Sequence, residues 1–245
     1  MRKTKCHRWI SLLALTSVSL LALWSAFLCY ALVYYHGNAE AYSFLKNQET
    51  VTVVEEKRGY AFLPKKATKK GAVFYGGGKV ESAAYAPLCA KMAEQGYKVF
   101  LPRLPYHFAF FEINAVDGYL SSHEEITSWY VFGHSLGGAM LGEYASSHYA
   151  QLKGIAFLGA YSEKNLSKTP LECATIYGSN DGVLNRQKYQ ENLKNLPENY
   201  REKIIEGGNH ASFGDYGKQT GDGLSEITNL EQIEATVQFL LTVWN

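Results

Sequence analysis

The sequence has little cysteine and almost no charge imbalance, and both shortages exclude classes of protein. Its four cysteines, Cys6, Cys29, Cys89 and Cys173, are scattered with no paired spacing. Disulfide frameworks and zinc sites need clustered or matched cysteines, so neither is expected, and no metal or other cofactor is indicated. Cys89 and Cys173 fall in stretches that read as helix and strand interiors, where a thiol serves as a small core residue. The formal net charge is +1, and without the first eight residues the remainder carries a net charge of about −3. That balance gives no basic footprint, and nucleic acid is not an expected partner. Internal repeats and low-complexity tracts are also missing, which leaves one medium globular domain plus an N-terminal extension.

The extension is where charge disappears. "MRKTKCHR" holds four basic residues and no acid, and the 27 residues 9–35 carry no charge at all. About 20 apolar residues suffice for a helix to cross a bilayer, so this run is long enough even when tilted. The basic cluster precedes the run, and no Lys or Arg follows it before Lys46. The positive-inside rule then places residues 1–8 in the cytoplasm, residues 9–35 in the membrane and the rest outside. A cleaved signal peptide is the competing reading, because "AEA" at residues 39–41 resembles a cleavage site. A signal's apolar region usually runs about 7–15 residues, which favours an uncleaved anchor. Either reading exports the remainder: a linker at 36–50 and a catalytic domain at 51–245.

Within that domain, "VTVVEEK" and "YAFLP" around "RG" read as an antiparallel hairpin. From Gly71 onward strands and helices alternate. The strands are "GAVFY", "YKVFLP", "WYVFGHS", "LKGIAFLGAY", "ECATIYG" and "REKII". Helices fall between them, one of them closing at Gly96 with Pro87 an awkward fit inside it, and the chain ends on the helical "NLEQIEATVQFLLTVWN". Such alternation implies right-handed crossovers and an α/β fold with a mostly parallel sheet covered on both faces. Sites in these folds lie beyond the C-terminal strand ends.

"GHSLGG" at residues 133–138 matches G-x-S-x-G between an expected strand and an expected helix, the setting of a nucleophile elbow. Ser135 is therefore the candidate nucleophile, with Gly133, Gly137, Gly138 and Ala139 small enough for the tight turn. Acyl transfer also needs N–H donors for the developing oxyanion. Leu136, at the start of the helix, supplies one. The glycine loop "YGGGKV" at 75–80 supplies the second, assigned to Gly77. The acid and the base should follow in the order Ser, acid, His. Of seven histidines, five precede Ser135 and His148 follows it too closely, which leaves His210 as the base. Asp181, in the turn "GSNDG" after the preceding strand, is the acid, whereas Asp215 and Asp222 follow His210 and break the order.

The series "FYGGGKVE", "GHSLGG", "YGSNDGVLN" and "EGGNHASFGDYG" resembles the α/β-hydrolase superfamily, in its compact, capless, dienelactone hydrolase-like group, which includes bacterial membrane-anchored members. The likeness covers about residues 60–244 and implies an α/β-hydrolase fold with Ser135, Asp181 and His210 as its triad. The dienelactone hydrolases carry a cysteine nucleophile, and this chain departs from them in its serine. Only 46 positions separate Ser135 from Asp181, and a helix and two strands fill them, so no cap domain fits there.

Two segments could cover the site: "LPYHFAFFEIN", with Phe108, Phe110 and Phe111 as either pocket lining or core, and the loop 213–223 as either flap or passive loop. The expected function is a membrane-tethered serine hydrolase cleaving a small-molecule or lipid-like carboxylic ester or thioester through an acyl-enzyme. A peptidase or acyltransferase using the same triad, and a non-catalytic scaffold of this fold acting as a binding module, are the alternatives.

Overall fold

The computed structural model describes residues 2–244, with side chains described from residue 14 onward, and it divides into two units, Met1–Tyr34 and Tyr35–Asn245. The side chains of the basic segment, including Cys6, lie outside the described residues.

The first unit is a single helix, α1 (Arg2–Leu32). Its stretch Ala14–Leu32 has mean hydropathy 1.8, long and apolar enough to cross a membrane, a test that a signal sequence also passes.

The second unit is an eight-stranded sheet with helices on both faces. Its strands are β1 (Val51–Glu56), β2 (Gly59–Pro64), β3 (Lys70–Tyr75), β4 (Lys98–Pro102), β5 (Ser128–His134), β6 (Gly154–Leu158), β7 (Glu172–Gly178) and β8 (Arg201–Ile205). They lie in the order β1-β2-β4-β3-β5-β6-β7-β8. The expected hairpin is present, with β1 and β2 antiparallel from Val51 opposite Pro64 to Glu56 opposite Gly59. β2 pairs antiparallel with β4, and every pairing from β4 across to β8 is parallel.

Burial follows from this layering. Strands inside a parallel sheet meet helices on both faces and need long apolar runs, as in residues 71–75 of β3 and 129–133 of β5, which are buried. Helices α3 (Ala86–Glu94) and α7 (Asn229–Val243) cover one face through Leu88, Met92, Ile233 and Leu240. α4 (Ala115–Ser122) and α5 (Leu136–His148) cover the other through Val116, Tyr119, Leu141 and Tyr144. Cys89 and Cys173 are free and buried in these cores, as expected. Pro87 falls in the first turn of α3, where a missing N–H breaks no helical bond, so its awkwardness disappears. Gly96, just past that helix, takes φ +89°, the left-handed turn that ends it.

The connection from β6 to β7 holds no helix, so no cap is built there. The remaining two helices, α2 (Ala39–Ser43) and α6 (Arg186–Asn192), are short.

The segment 36–50, expected as a linker, makes specific contacts with the second unit, which begins at Tyr35. Tyr35 pairs with Val80 beside the glycine loop, its N–H donating to Lys79 O at 2.7 Å. Asn38 Nδ2 and Ala41 N–H both donate to the buried carboxylate of Asp215, at 2.7 and 2.9 Å. A buried carboxylate needs such donors, and these come from the segment that the sequence left without a role.

Candidate active site

β5 ends at His134 and α5 begins at Leu136, so the single residue between them must reverse the chain. Ser135 does so with φ 53° and ψ −123°, a conformation that L-residues adopt only under constraint. The constraint is visible on both sides. Ser135 N–H donates to Leu158 O at 2.9 Å, and Ser135 O accepts from Ala139 N–H at 3.1 Å. Gly137 passes so close to β3 that a Cβ there would lie 2.2 Å from Tyr75 O, so only glycine fits.

The acid and base positions sit beyond the ends of the last two parallel strands in the chain, β7 and β8. Asp181 lies in the turn after β7, where its Oδ1 accepts from Val183 and Leu184 N–H at 2.9 and 2.8 Å. His210 follows β8, and its Nδ1 lies 2.8 Å from Asp181 Oδ2. Gly159, at φ +52°, closes over this pair, and a Cβ there would stand 2.9 Å from His210 Nδ1. Burial alone would raise the Asp181 carboxyl, but the bonds from His210, Leu184 and Val183 outweigh it and hold the group below the ordinary carboxylate value. His210 Nε2 is buried and has no hydrogen-bond partner among the described residues.

Ser135, Leu136 and His210 line one cavity of about 430 Å³. Ala139, Met140, Ala160, Val183 and Leu184 give it an apolar wall, and the Lys164–Glu143 ion pair, at 3.2 Å, stands on it too. The structure thus brings Ser135, Asp181 and His210 together at the C-terminal end of the sheet. Phe108, Phe110 and Phe111 do not line this cavity. Phe108 is buried, while Phe110 and Phe111 are 43% and 42% exposed.

The glycine loop corrects one assignment. Gly77 N–H is not available to a ligand, because it donates to Tyr85 Oη at 2.9 Å, and that hydroxyl also bonds His134 Nδ1 at 2.9 Å. Tyr85 is fully buried, so its hydroxyl requires partners, and Gly77 and His134 supply two. One residue on, Gly78 N–H has no acceptor among the described residues, and a Cβ on Gly78 would touch the Leu136 side chain at 3.0 Å. Leu136 N–H, at the first position of α5, has no acceptor within its own helix. Leu136 and Gly78 thus each carry an N–H without an acceptor among the described residues, on the two segments that meet at the elbow.

Two further residues escape a reading of the sequence. His134, the variable position of G-x-S-x-G, is buried with its ring 4.4 Å from that of His210. Burial, and then the neighbouring His210, push its pKa well below the ordinary histidine value, so it stays neutral. Tyr85 lies eight residues past Gly77 in an alanine-rich stretch that reads as core, and its aromatic ring among small residues is the only signal.

Residues 71–234 match the model of the α/β hydrolase family. The chain belongs to that family. Among solved structures it is similar to a CIB-like hydrolase from Thermoplasma acidophilum, with TM-score 0.57 and 17% identity over 78% of this chain and 99% of that one. It is also similar to a membrane phospholipase A described as a bacterial virulence factor, with TM-score 0.60 and 12% identity over 94% and 96% of the two chains. Carboxylesterase CesB from Bacillus subtilis gives TM-score 0.56 and 12% identity over 83% and 94%. At these identities the likeness establishes the fold. A search of the curated proteins finds none that matches.

Proposed function

We propose that the chain is a serine hydrolase that cleaves carboxylic esters or thioesters through an acyl-enzyme. The observation that carries this reading is the buried Asp181–His210 pair, at 2.8 Å, whose His210 lines the same cavity as the strained Ser135. With Nδ1–H donated to Asp181, His210 presents a lone pair at Nε2, the form a general base needs. Ser135 Oγ attacks the carbonyl carbon while His210 Nε2 takes its proton, and Asp181 stabilises the imidazolium. Leu136 and Gly78 N–H receive the negative oxygen of the tetrahedral intermediate. His210 then returns the proton to the leaving alkoxide or thiolate. In the second half, water loses a proton to His210 as it attacks the acyl carbon, and His210 returns that proton to Ser135 Oγ as the acid is released.

The apolar cavity wall supports an acyl group as its occupant. An uncleaved N-terminal anchor with the catalytic domain outside the cytoplasm fits the basic segment before the apolar helix. The chain enters the catalytic unit at Tyr35, beside the glycine loop, and the exposed Tyr106, Phe110 and Phe111 follow β4 at the same end of the sheet. Exposed aromatics there support a lipid-like ester as substrate.

The test is labelling of residues 35–245 with a fluorophosphonate and location of the adduct by mass spectrometry. An adduct on Ser135 that is lost in His210→Ala is the expected result. A folded protein that takes no adduct would overturn the reading.

A further inference from the structure

The loop 213–223 after His210 is not a passive excursion. Asp222, near its end, receives four backbone N–H groups on one carboxylate. Its Oδ1 accepts from Gly182 and from His210, each at 3.1 Å, and from its neighbour Gly223 at 2.8 Å. Its Oδ2 accepts from Ala211 at 2.8 Å. Gly182 directly follows Asp181, and His210 and Ala211 are the base itself and the next residue. A single side chain therefore joins the backbone behind the acid to the backbone beneath the base.

The contact around it is backbone against backbone. A Cβ on Gly182 would lie 2.6 Å from Gly221 O, and one on Gly223 would lie 2.0 Å from Asn180 O. Asn180 Nδ2 donates to Leu224 O at 3.0 Å, and Asn209 Nδ2 to Gly223 O at 2.8 Å, so each catalytic turn also grips the returning loop.

We infer that Asp222 is a positioning residue that fixes the separation of Asp181 and His210, and that the loop 213–223 delivers it. The inference rests on the triad reading above. Asp181 and His210 are borne by turns after the paired strands β7 and β8. The direct bonds between these turns, Asn180 N–H to Gly208 O and Gly207 N–H to Ser179 Oγ, each at 2.8 Å, stop short of the acid and the base, whereas Asp222 ties Gly182 to His210 and Ala211. The gap between their side chains is set by how those two turns are clamped. Asp222 meets both turns at their backbones, without touching either catalytic side chain. Its chemistry is specific as well, since a carboxylate offers only acceptors. An amide of the same shape would aim an N–H at a backbone N–H on one side or the other.

The experiment compares Asp222→Asn, Asp222→Glu and Asp222→Ala with wild type, alongside Ser135→Ala and His210→Ala. It reads kcat and KM on a soluble aryl ester, thermal unfolding, and the low-field proton resonance of an imidazole Nδ1–H bonded to a carboxylate. In Asp222→Asn we expect kcat to fall about 10²-fold, the loss that a misplacement of about 1 Å produces. KM stays within about twofold, since the residue touches no substrate. The low-field resonance disappears although the protein still unfolds cooperatively, and Asp222→Glu recovers part of kcat.

A folded Asp222→Asn with wild-type kcat and an intact low-field resonance would overturn the inference. So would a kcat loss that merely tracks a lowered Tm while the resonance persists. If Asp222→Ala does not fold, the isosteric Asp222→Asn carries the test alone. Activity surviving in Ser135→Ala would instead bring down the triad reading, which separates the two failures.

Discussion

Asp181 Oδ2 and His210 Nδ1 meet at 2.8 Å with both side chains sealed from solvent, at 0% and 1% exposure. In water such a pair would be worth little, but here no solvent competes for either partner. In the proposed triad Asp181 also selects the tautomer of His210. An amide in its place keeps the shape and can accept from the neighbouring backbone, yet it lets the imidazole settle with its proton on Nε2. Asp181→Asn should therefore fold and lose about 10⁴-fold in kcat, with KM little changed. Steady-state kinetics on a soluble ester, beside a thermal melt, check this. A loss under tenfold would mean that Asp181 does not orient the base.

Tyr85 joins the glycine loop to the elbow, since its hydroxyl takes Gly77 N–H and bonds His134 Nδ1. Phenylalanine would leave both groups buried and unpaired. Tyr85→Phe should lower stability by about 1–3 kcal/mol, the desolvation penalty of an orphaned group. It should also slow turnover, because Gly78 is carried on the loosened loop. Denaturant unfolding and kcat measured on the same preparation would show the two effects together. Unchanged stability would mean that the loop finds another acceptor for Gly77.

The candidate site is legible in the sequence where its logic is local or ordinal. The turn "RG" between two β-rich runs marks the hairpin, and the glycines around Ser135 mark a turn too tight for side chains. The order Ser, acid, His then selects Asp181 and His210 from a long chain. The illegible parts are side chains reaching backbones far away in sequence. Nothing in "GDG" announces that Asp222 reaches Gly182, 40 residues earlier. Nothing in "YGGGK" tells Gly77 from Gly78, because the difference lies in Tyr85, which occupies one N–H and leaves the other. Asp215 looked like an acid out of order, but it is the anchor for Asn38 and Ala41.

His134 predicts an acid sensitivity unconnected with catalysis. Its pKa is held well below the ordinary value by burial and by the adjacent His210. Above pH about 6.5 neither the folded nor the unfolded chain protonates it. Below that, the unfolded chain takes a proton that the folded protein refuses, so stability falls as pH falls. The slope for one proton is about 1.4 kcal/mol per pH unit, continuing until the folded pKa is reached. His107, lowered by partial burial, adds a smaller effect of the same sign. Urea unfolding between pH 7 and pH 5 should show the decline, and His134→Gln should flatten it. An equal slope in the variant would place the sensitive group elsewhere.

The exposed rings of Phe110 and Phe111 lie 4.5 Å apart, centroid to centroid, and Tyr106 packs on Phe111 at 5.5 Å. Aromatics clustered at the surface gain by entering a lipid interface, where burying a Phe side chain contributes about 1.5–3 kcal/mol. Since each 1.4 kcal/mol is a factor of ten, losing one ring's insertion should weaken productive binding to vesicles roughly tenfold or more. Phe110→Asp, alone and with Phe111→Asp, should lower kcat/KM on esters presented in phospholipid vesicles by that factor. Hydrolysis of a short soluble ester should stay within about twofold, because neither ring lines the cavity. Equal losses on both substrates would assign the rings to the stability of the loop, and no loss on either would separate the active site from the lipid surface.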